Sequence, residues 1–407
     1  MARAPFRLAT RNILRHKGRT AMILAAIALG VVGLILSGGF VQDIFVQLGE
    51  WVIHSQSGHL QVSKAGFRER GTRRPDQFLI AEPEPLKAGI AQQSHVADVM
   101  GRVAFSGLLN NGRTDLAILG EGIEPDREQR LGTHIYLVAG RQLFDRDKMG
   151  ALVGEGVAQT LNLRPGDRAT LMANTTAGAA NTLDLEVVGV FRTFSKEYDA
   201  RAVKIPLAAA QELLDTRGVN AVVVSLLETD ASSLVASAVR TEFASQGLEV
   251  HTWQQLNDFY EKTVELYDRQ FGVLRLIVLM MVLLSVLNTV NMSIFERVGE
   301  FGTMRALGNR SRSVSVLVVL EGALLGVSGA ALGVMAGVLL SWAISAVGIP
   351  MPPPPNANVG YTAHIRLVPS VITGAFFAGF IATLLASIPP ALRVARIPVV
   401  DALKENV

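Results

Sequence analysis

The chain has 407 residues, of which 49% are hydrophobic and 18% charged, and a formal charge of +3. That is too apolar for an ordinary soluble domain and too polar for a chain lying wholly in a membrane, so a membrane protein with a large soluble part is expected. There is no cysteine, which removes disulfides, thiolate metal sites, cysteine nucleophiles and cysteine lipid anchors; the basic residues cluster beside apolar segments, which argues against a nucleic-acid partner.

Residues 1–19 form a basic leader with Arg3, Arg7, Arg11, Arg15, Lys17 and Arg19. Leu8, Ile13 and Leu14 interleave with these arginines, the pattern of an amphipathic helix lying along the inner membrane surface. Residues 21–40 carry no charge and are long enough to cross a bilayer. A signal peptide has a similar outline, but no good small-residue cleavage site follows, so a retained first span over 20–45 is expected. Phe40, Ile44, Leu48 and Trp51 or Val52 keep helical spacing past its end, as a stalk.

Residues 46–255 read as an external domain of mixed α and β structure. Strands are predicted at 58–62, 116–120, 151–153, 169–172, 185–191 and 221–226, with helices at 157–161 and 232–243. The run Arg164-Pro165-Gly166-Asp167 is a turn signal, and residues 174–182 read as a Gly/Ala/Asn/Thr loop. The length suggests two subdomains. The seven histidines, His16, His54, His59, His95, His134, His251 and His364, are scattered and lack the spacing of a zinc helix. No GxSxG is present, so catalysis is not expected.

Residues 256–294 form a second stalk and span. Leu256, Phe259 or Tyr260, Val264, Tyr267, Phe271 and Leu274 keep helical spacing into the apolar run 271–294, where Asn288 and Asn291 are expected to hydrogen-bond between helices. The loop 295–313 reads FERVGEFGTMRALG at its start. As a helix it puts Phe301, Met304, Arg305 and Gly308 on one face. The third span, 314–347, contains Glu321 and the overlapping small-residue steps Gly322–Gly326, Gly329–Gly333 and Gly333–Gly337. Such steps serve close packing, within one subunit or across a dimer. A carboxylate within a span must face protein or water, and pairing of Glu321 with Arg312 or the basic leader is expected. Residues 348–366 form a Pro-rich outer loop, 367–390 the fourth span, and 391–407 a basic tail opened by a helix stop at Pro389-Pro390. The excess of Lys and Arg in the leader, the 295–313 loop and the tail orients these inward and the large domain outward.

Five motifs carry a resemblance that covers the whole chain in layout. They are LATRNILRHKGRT in the leader, GHLQV followed by Gly66-Phe67, LVGEGVAQTLNLRPGD, ERVGEFGTMRALG, and PPALRVARIPVVDAL near the C-terminus. Together they resemble the FtsX-like permeases of the MacB and LolC/LolE branch of ABC transporters. The resemblance implies a four-span α-helical membrane domain with a large α+β periplasmic domain between spans 1 and 2, in the bacterial inner membrane. It implies a dimer of separate ATPase subunits holding ATP and Mg, a second permease copy or homologue, surrounding lipids, and a lipoprotein or periplasmic adaptor as partner. No cofactor is implied for this chain, and no GxxxxGK[ST] phosphate loop is present in it. Glu300, Phe301, Met304, Arg305, Ala306, Leu307 and Gly308 match the family's coupling helix. Phe301 and Met304 are expected to enter an apolar groove of the ATPase, so that Met304→Arg or Phe301→Asp uncouples an inserted protein. The implied action is extraction or export of a lipoprotein, lipid-like or periplasmic substrate. The alternative is a regulatory permease that controls a periplasmic enzyme without transport.

Overall fold

The computed structural model describes residues 9–398 except 13, 14, 16, 72–74, 354–356, 359 and 397. The side chains of Pro75, Asp76 and Phe259 lie outside the description, as do Leu8, Ile13 and Leu14 of the expected leader face, Pro354 and Pro355 of the outer loop, and the tail beyond 398. The chain divides into two units, residues 1–45, 263–350 and 362–407, and residues 46–262 with 351–361.

The helices used below are α1 (Lys17–Val52), α2 (Pro83–Ala91), α3 (Pro125–Leu131), α4 (Glu155–Leu161), α5 (Leu207–Leu214), α6 (Ser232–Glu242), α7 (Asp258–Phe295), α8 (Val298–Ala306), α9 (Ser311–Val347) and α10 (Pro369–Arg396). The strands are β1 (Leu60–Lys64), β2 (Val96–Asn110), β3 (Asp115–Ile123), β4 (Tyr136–Gly140), β5 (Gly150–Gly154), β6 (Arg168–Asn174), β7 (Ala180–Arg192), β8 (Ala202–Pro206), β9 (Ala221–Leu226) and β10 (Leu248–Thr252).

In the first unit, α1, α7, α9 and α10 are each long and apolar enough to cross a membrane. α1 has 36 residues and α7 has 38, so at about 1.5 Å per residue each outruns a hydrocarbon core of about 30 Å. Their contact includes Phe45 on Tyr267, which in turn lies near Phe271. α9 is held close to two neighbours by its glycine stripe. A Cβ on Gly322 would lie 1.9 Å from Ser387 Oγ of α10, and one on Gly326 3.2 Å from Phe380 and Thr383. Further along, Gly329 faces Ile27, Gly333 faces Val31 and the backbone of Ala28, and Gly337 faces Ile35, all on α1. The stripe therefore serves packing within the subunit. Gly333→Leu is expected to destabilise this unit by about 1–3 kcal/mol through overpacking. Gly374→Leu, where a side chain meets nothing within 4 Å, is the control expected to be silent. Thermal unfolding of both variants in one detergent checks the contrast.

Two expectations change here. Pro389 and Pro390 do not stop α10, which continues to Arg396. Each proline removes one backbone donor, which bends a helix without ending it when neighbours hold the turn. Ser315 of α9 donates to the Ala391 carbonyl at 3.0 Å, and Ala391 and Val394 are buried in the helix cluster. Asn288 is exposed and Asn291 half-buried, and no hydrogen bond between helices is found for either among the described residues.

The second unit is organised by β2. Its residues 96–102 pair with β9 and its residues 103–110 with β3, while 107–110 also pair with β6. The strand order is β10-β1-β9-β2-β3-β8-β5-β7-β4, with β6 bridging β2 and β7. Strands β2, β3, β8, β5, β7 and β6 thus close a ring, and β9, β1 and β10 extend from it. The pairs β3–β8 and β5–β7 are parallel. One apolar cluster runs from Leu60 and Val62 of β1 through Val103 of β2 to Val153 of β5 and Leu185 of β7, covered by α2, α4, α5 and α6. The two expected subdomains therefore share a strand and a core.

Direct cross-strand partners project to the same face. Arg102 pairs with Ala221, Ala104 with Glu121, and Glu121 with Lys204, so Arg102, Glu121 and Lys204 share the face opposite the core residue Val103. Glu128 of α3 closes over them. Its carboxylate accepts from Arg102 Nη2 at 2.6 Å and Lys204 Nζ at 2.8 Å. Burial acts to raise the Glu128 carboxyl, but Arg102 and then Lys204 outweigh it and hold the group at about 2.

A second polar cluster lies where α1 passes through five residues of π-helix, Ile53–Ser57, into β1. His54 stacks on His134 with ring centroids 5.5 Å apart and meets His59 edge-on at 5.7 Å. Glu50 lies 3.2 Å from His54 Nε2 and accepts from Thr229 at 2.9 Å. Among the described residues no group of His, Asp and Glu has metal-holding geometry. Burial first, then the charge of His54, lowers His59 to about 4 and also lowers His134. The hydrogen bond to Glu50 raises His54. His59 and His134 bind protons more weakly folded than unfolded, so each costs stability as pH falls below about 6.5, for His59 down to about 4. His54 acts oppositely, its contribution being complete below about 6.5 and lost as pH rises through its raised value. His59 carries the largest of these shifts, so the unfolding midpoint of the full chain is expected to fall between about pH 7 and about pH 5. His59→Asn is expected to flatten that slope; an unchanged slope in a thermal melt series would remove His59 from the cluster's titration.

The outer loop also contributes to this unit. Asn358 donates to the Thr193 carbonyl and to Asp199, and Tyr361 packs edge-on against Trp51.

Candidate functional site

The loop between α7 and α9 is built on Arg297, the residue preceding α8. Its side chain is 7% exposed and points inward. Nη1 donates to both oxygens of Glu321, at 3.0 and 3.3 Å, and Nε donates to Glu300 at 3.0 Å. The guanidinium lies over the Phe301 ring, 5.0 Å from its centroid. Asn12 donates to Glu321 Oε1 at 2.6 Å. Arg15 reaches Glu300 at 3.2 Å and Arg19 reaches Glu296 at 2.6 Å. Glu321 therefore pairs with Arg297 and a leader amide, and Arg312 is not its partner. A partly buried carboxylate held by a guanidinium and an amide locks the start of α8 onto α9.

Phe301 is 3% exposed and sits in the helix cluster with Ile294, Val314 and Val318. It is used inside the chain and is not free to enter a partner's groove, which corrects the sequence reading. Met304 is half-buried against the same cluster. The outward surface is Thr303, Ala306, Leu307, Gly308 and Asn309, with Leu307 81% exposed. Gly308 has a φ of 95°, and the Asn309 amide returns to the Met304 carbonyl at 3.1 Å. That left-handed turn ends α8 and presents Leu307 at its tip. Glu300 is half-exposed and Arg305 partly buried.

The other sequence-selected residues lie elsewhere. Gly322, Gly326, Gly329 and Gly333 pack α9 on α10 and α1, and Asn288 and Asn291 lie on α7. Tyr267 and Phe271 belong to the first unit. Leu48 is buried and Trp51 stacks on Phe194 at 4.7 Å, both in the second unit. Sequence reasoning missed Arg297, counting it only as a topology charge. The signal that finds it is its i, i+3 spacing to Glu300 beside a lone carboxylate in the next span.

Two family profiles match. The MacB-like periplasmic core domain covers residues 20–242, more than half of the chain, and the FtsX-like permease C-terminal region covers 272–399. This chain belongs to the FtsX-like and MacB-like permease family. It is an ABC transporter permease of the inner membrane with its large domain in the periplasm, so the loop carrying α8 is cytoplasmic. The permease is similar to the lipoprotein-releasing system transmembrane protein LolC of Neisseria meningitidis serogroup B, 23% identical over 81% of this chain and 78% of the relative. It is also similar to the LolE protein of that system in Haemophilus influenzae, 21% identical over 78% and 75% respectively. Among solved structures, the periplasmic region of MacB from Actinobacillus actinomycetemcomitans aligns with a TM-score of 0.36 at 14% identity, over 52% of this permease and 95% of that chain.

Proposed function

We propose that this permease works with a separate ATPase dimer, which holds the ATP and Mg, and transmits nucleotide-driven motion to its periplasmic domain. The cargo in this reading is a lipoprotein or lipid-like molecule extracted or exported from the outer leaflet, handled with a second permease copy or homologue. One observation carries it: α8 is locked to the membrane helices by Arg297 and Phe301 while its tip, Ala306 to Asn309, stays exposed on the cytoplasmic side. A helix held rigidly at one end and open at the other passes on a push from a docked partner. The names of the LolC and LolE relatives support the lipoprotein class. The test is affinity purification from membranes in mild detergent with mass spectrometry. An ATPase with a lipoprotein or lipid is the expected result. An ATPase with a periplasmic hydrolase and no lipid cargo would replace transport by signalling, and no ATPase would overturn the reading.

A further inference from the structure

The polar face of the periplasmic sheet is not open to solvent throughout. Two adjoining cavities of about 270 and 230 Å³ lie on it, and both are lined by Gln61, Phe67, Ala104, Glu121, Tyr198 and Leu256. Strand register explains the floor. Gln61 of β1 pairs with His251 of β10, Ala104 with Glu121, and Ser106 with Leu119, so all six residues face one way. The turn carrying Phe67 and the segment at Leu256 form the walls. Leu119 adds apolar surface at one end.

Within this cleft the cations are already matched. Arg102 is bidentate on Glu128, Lys204 donates to Glu128 at 2.8 Å, and Arg68 pairs with Asp258. Two buried polar atoms are weakly matched: among the described residues Glu121 Oε2 and the Tyr198 hydroxyl make no well-formed hydrogen bond, and the hydroxyl faces the Glu121 carboxylate. Lys204 Nζ is 3.5 Å from Glu121 Oε2, too far for a good bond. A carboxylate met only by a phenol and an ammonium at 3.5 Å keeps acceptor capacity for a further hydrogen-bond donor in the space before it. An anion would meet the carboxylate oxygen and be repelled.

We propose that this cleft is a binding site for a small amphiphile with a hydrogen-bond donor head, an ammonium or a hydroxyl, on an aromatic or aliphatic body. The head donates to Glu121 Oε2 and is met by the Tyr198 hydroxyl, and the body lies against Phe67, Leu119 and Leu256. The site lies wholly within the periplasmic unit and does not depend on the identity of the transported cargo.

The test uses the full chain in lipid nanodiscs and three water-soluble probes of matched shape: phenethylamine, 2-phenylethanol and 3-phenylpropionate. Binding is read by saturation-transfer difference NMR against empty nanodiscs. The amine and the alcohol are expected to bind, and the carboxylate about tenfold more weakly. Glu121→Gln is expected to remove the preference of amine over carboxylate, and Ala104→Phe, which fills both cavities, to remove all three signals. If Ala104→Phe fails to fold by circular dichroism, Gln61→Trp fills the same space from β1. Signals no greater than those of empty nanodiscs would overturn the proposal, as would an amine preference that survives both Glu121→Gln and Tyr198→Phe.

Discussion

Replacing Glu128 by Ala is expected to destabilise the periplasmic unit by about 3–5 kcal/mol, enough to unfold a domain of ordinary stability. The reason is what remains. Arg102 and Lys204 are both almost fully buried, and Glu128 is the carboxylate that bonds to both. Without it two cations are left in a poorly hydrated interior with Glu121 alone nearby, at 3.5 Å from Lys204. Glu128→Gln keeps acceptor capacity but not charge, so a smaller loss in the same direction is expected. Denaturant unfolding of the full chain, followed by hydrogen exchange at β2 and β8, measures both. A loss below about 1 kcal/mol for Glu128→Ala would mean that water reaches the site and the ions are not desolvated.

The second large effect separates anchor from contact in α8. Leu307→Asp is expected to leave insertion and stability unchanged, because Leu307 touches little of its own chain. Under the proposed function it should weaken ATPase association by about 2 kcal/mol or more, roughly thirtyfold, as loss of an apolar contact at an interface centre does. Arg297→Ala is expected to damage the membrane unit itself, since it leaves Glu321 facing Asn12 alone in a span. Phe301→Asp should behave like Arg297→Ala, placing a carboxylate in the helix cluster. Co-purification of the ATPase, measured beside the melting temperature of each permease variant, distinguishes the two classes. Normal ATPase recovery with Leu307→Asp would remove the α8 tip from the interface.

Much of the architecture was legible because bilayer physics is coarse. Four apolar runs and the distribution of arginines give the spans and their direction, since a span is recognised by length and composition without tertiary context. The strands at 151–153, 169–172 and 221–226 were equally readable, being short, mostly apolar runs bounded by turns. Strand β2 was not. Its fifteen residues hold Asp98, Gly101, Arg102 and Gly107, and its burial follows no alternation, because it serves two halves of one sheet.

For the site, the sequence by itself determined that a short polar helix lies between the second and third spans and that a carboxylate sits in the third. Only the tertiary structure decided that Phe301 faces inward and Leu307 outward, that Arg297 and Asn12 hold Glu321, and that Arg102, Glu128 and Lys204 meet in the periplasmic unit. The physical reason is the range of the forces involved. Insertion and turn chemistry depend on residues close in sequence, whereas Glu321 is 309 positions from Asn12 and Lys204 is 76 from Glu128. Partners at that separation are chosen by packing, and packing has no signature in the order of the residues.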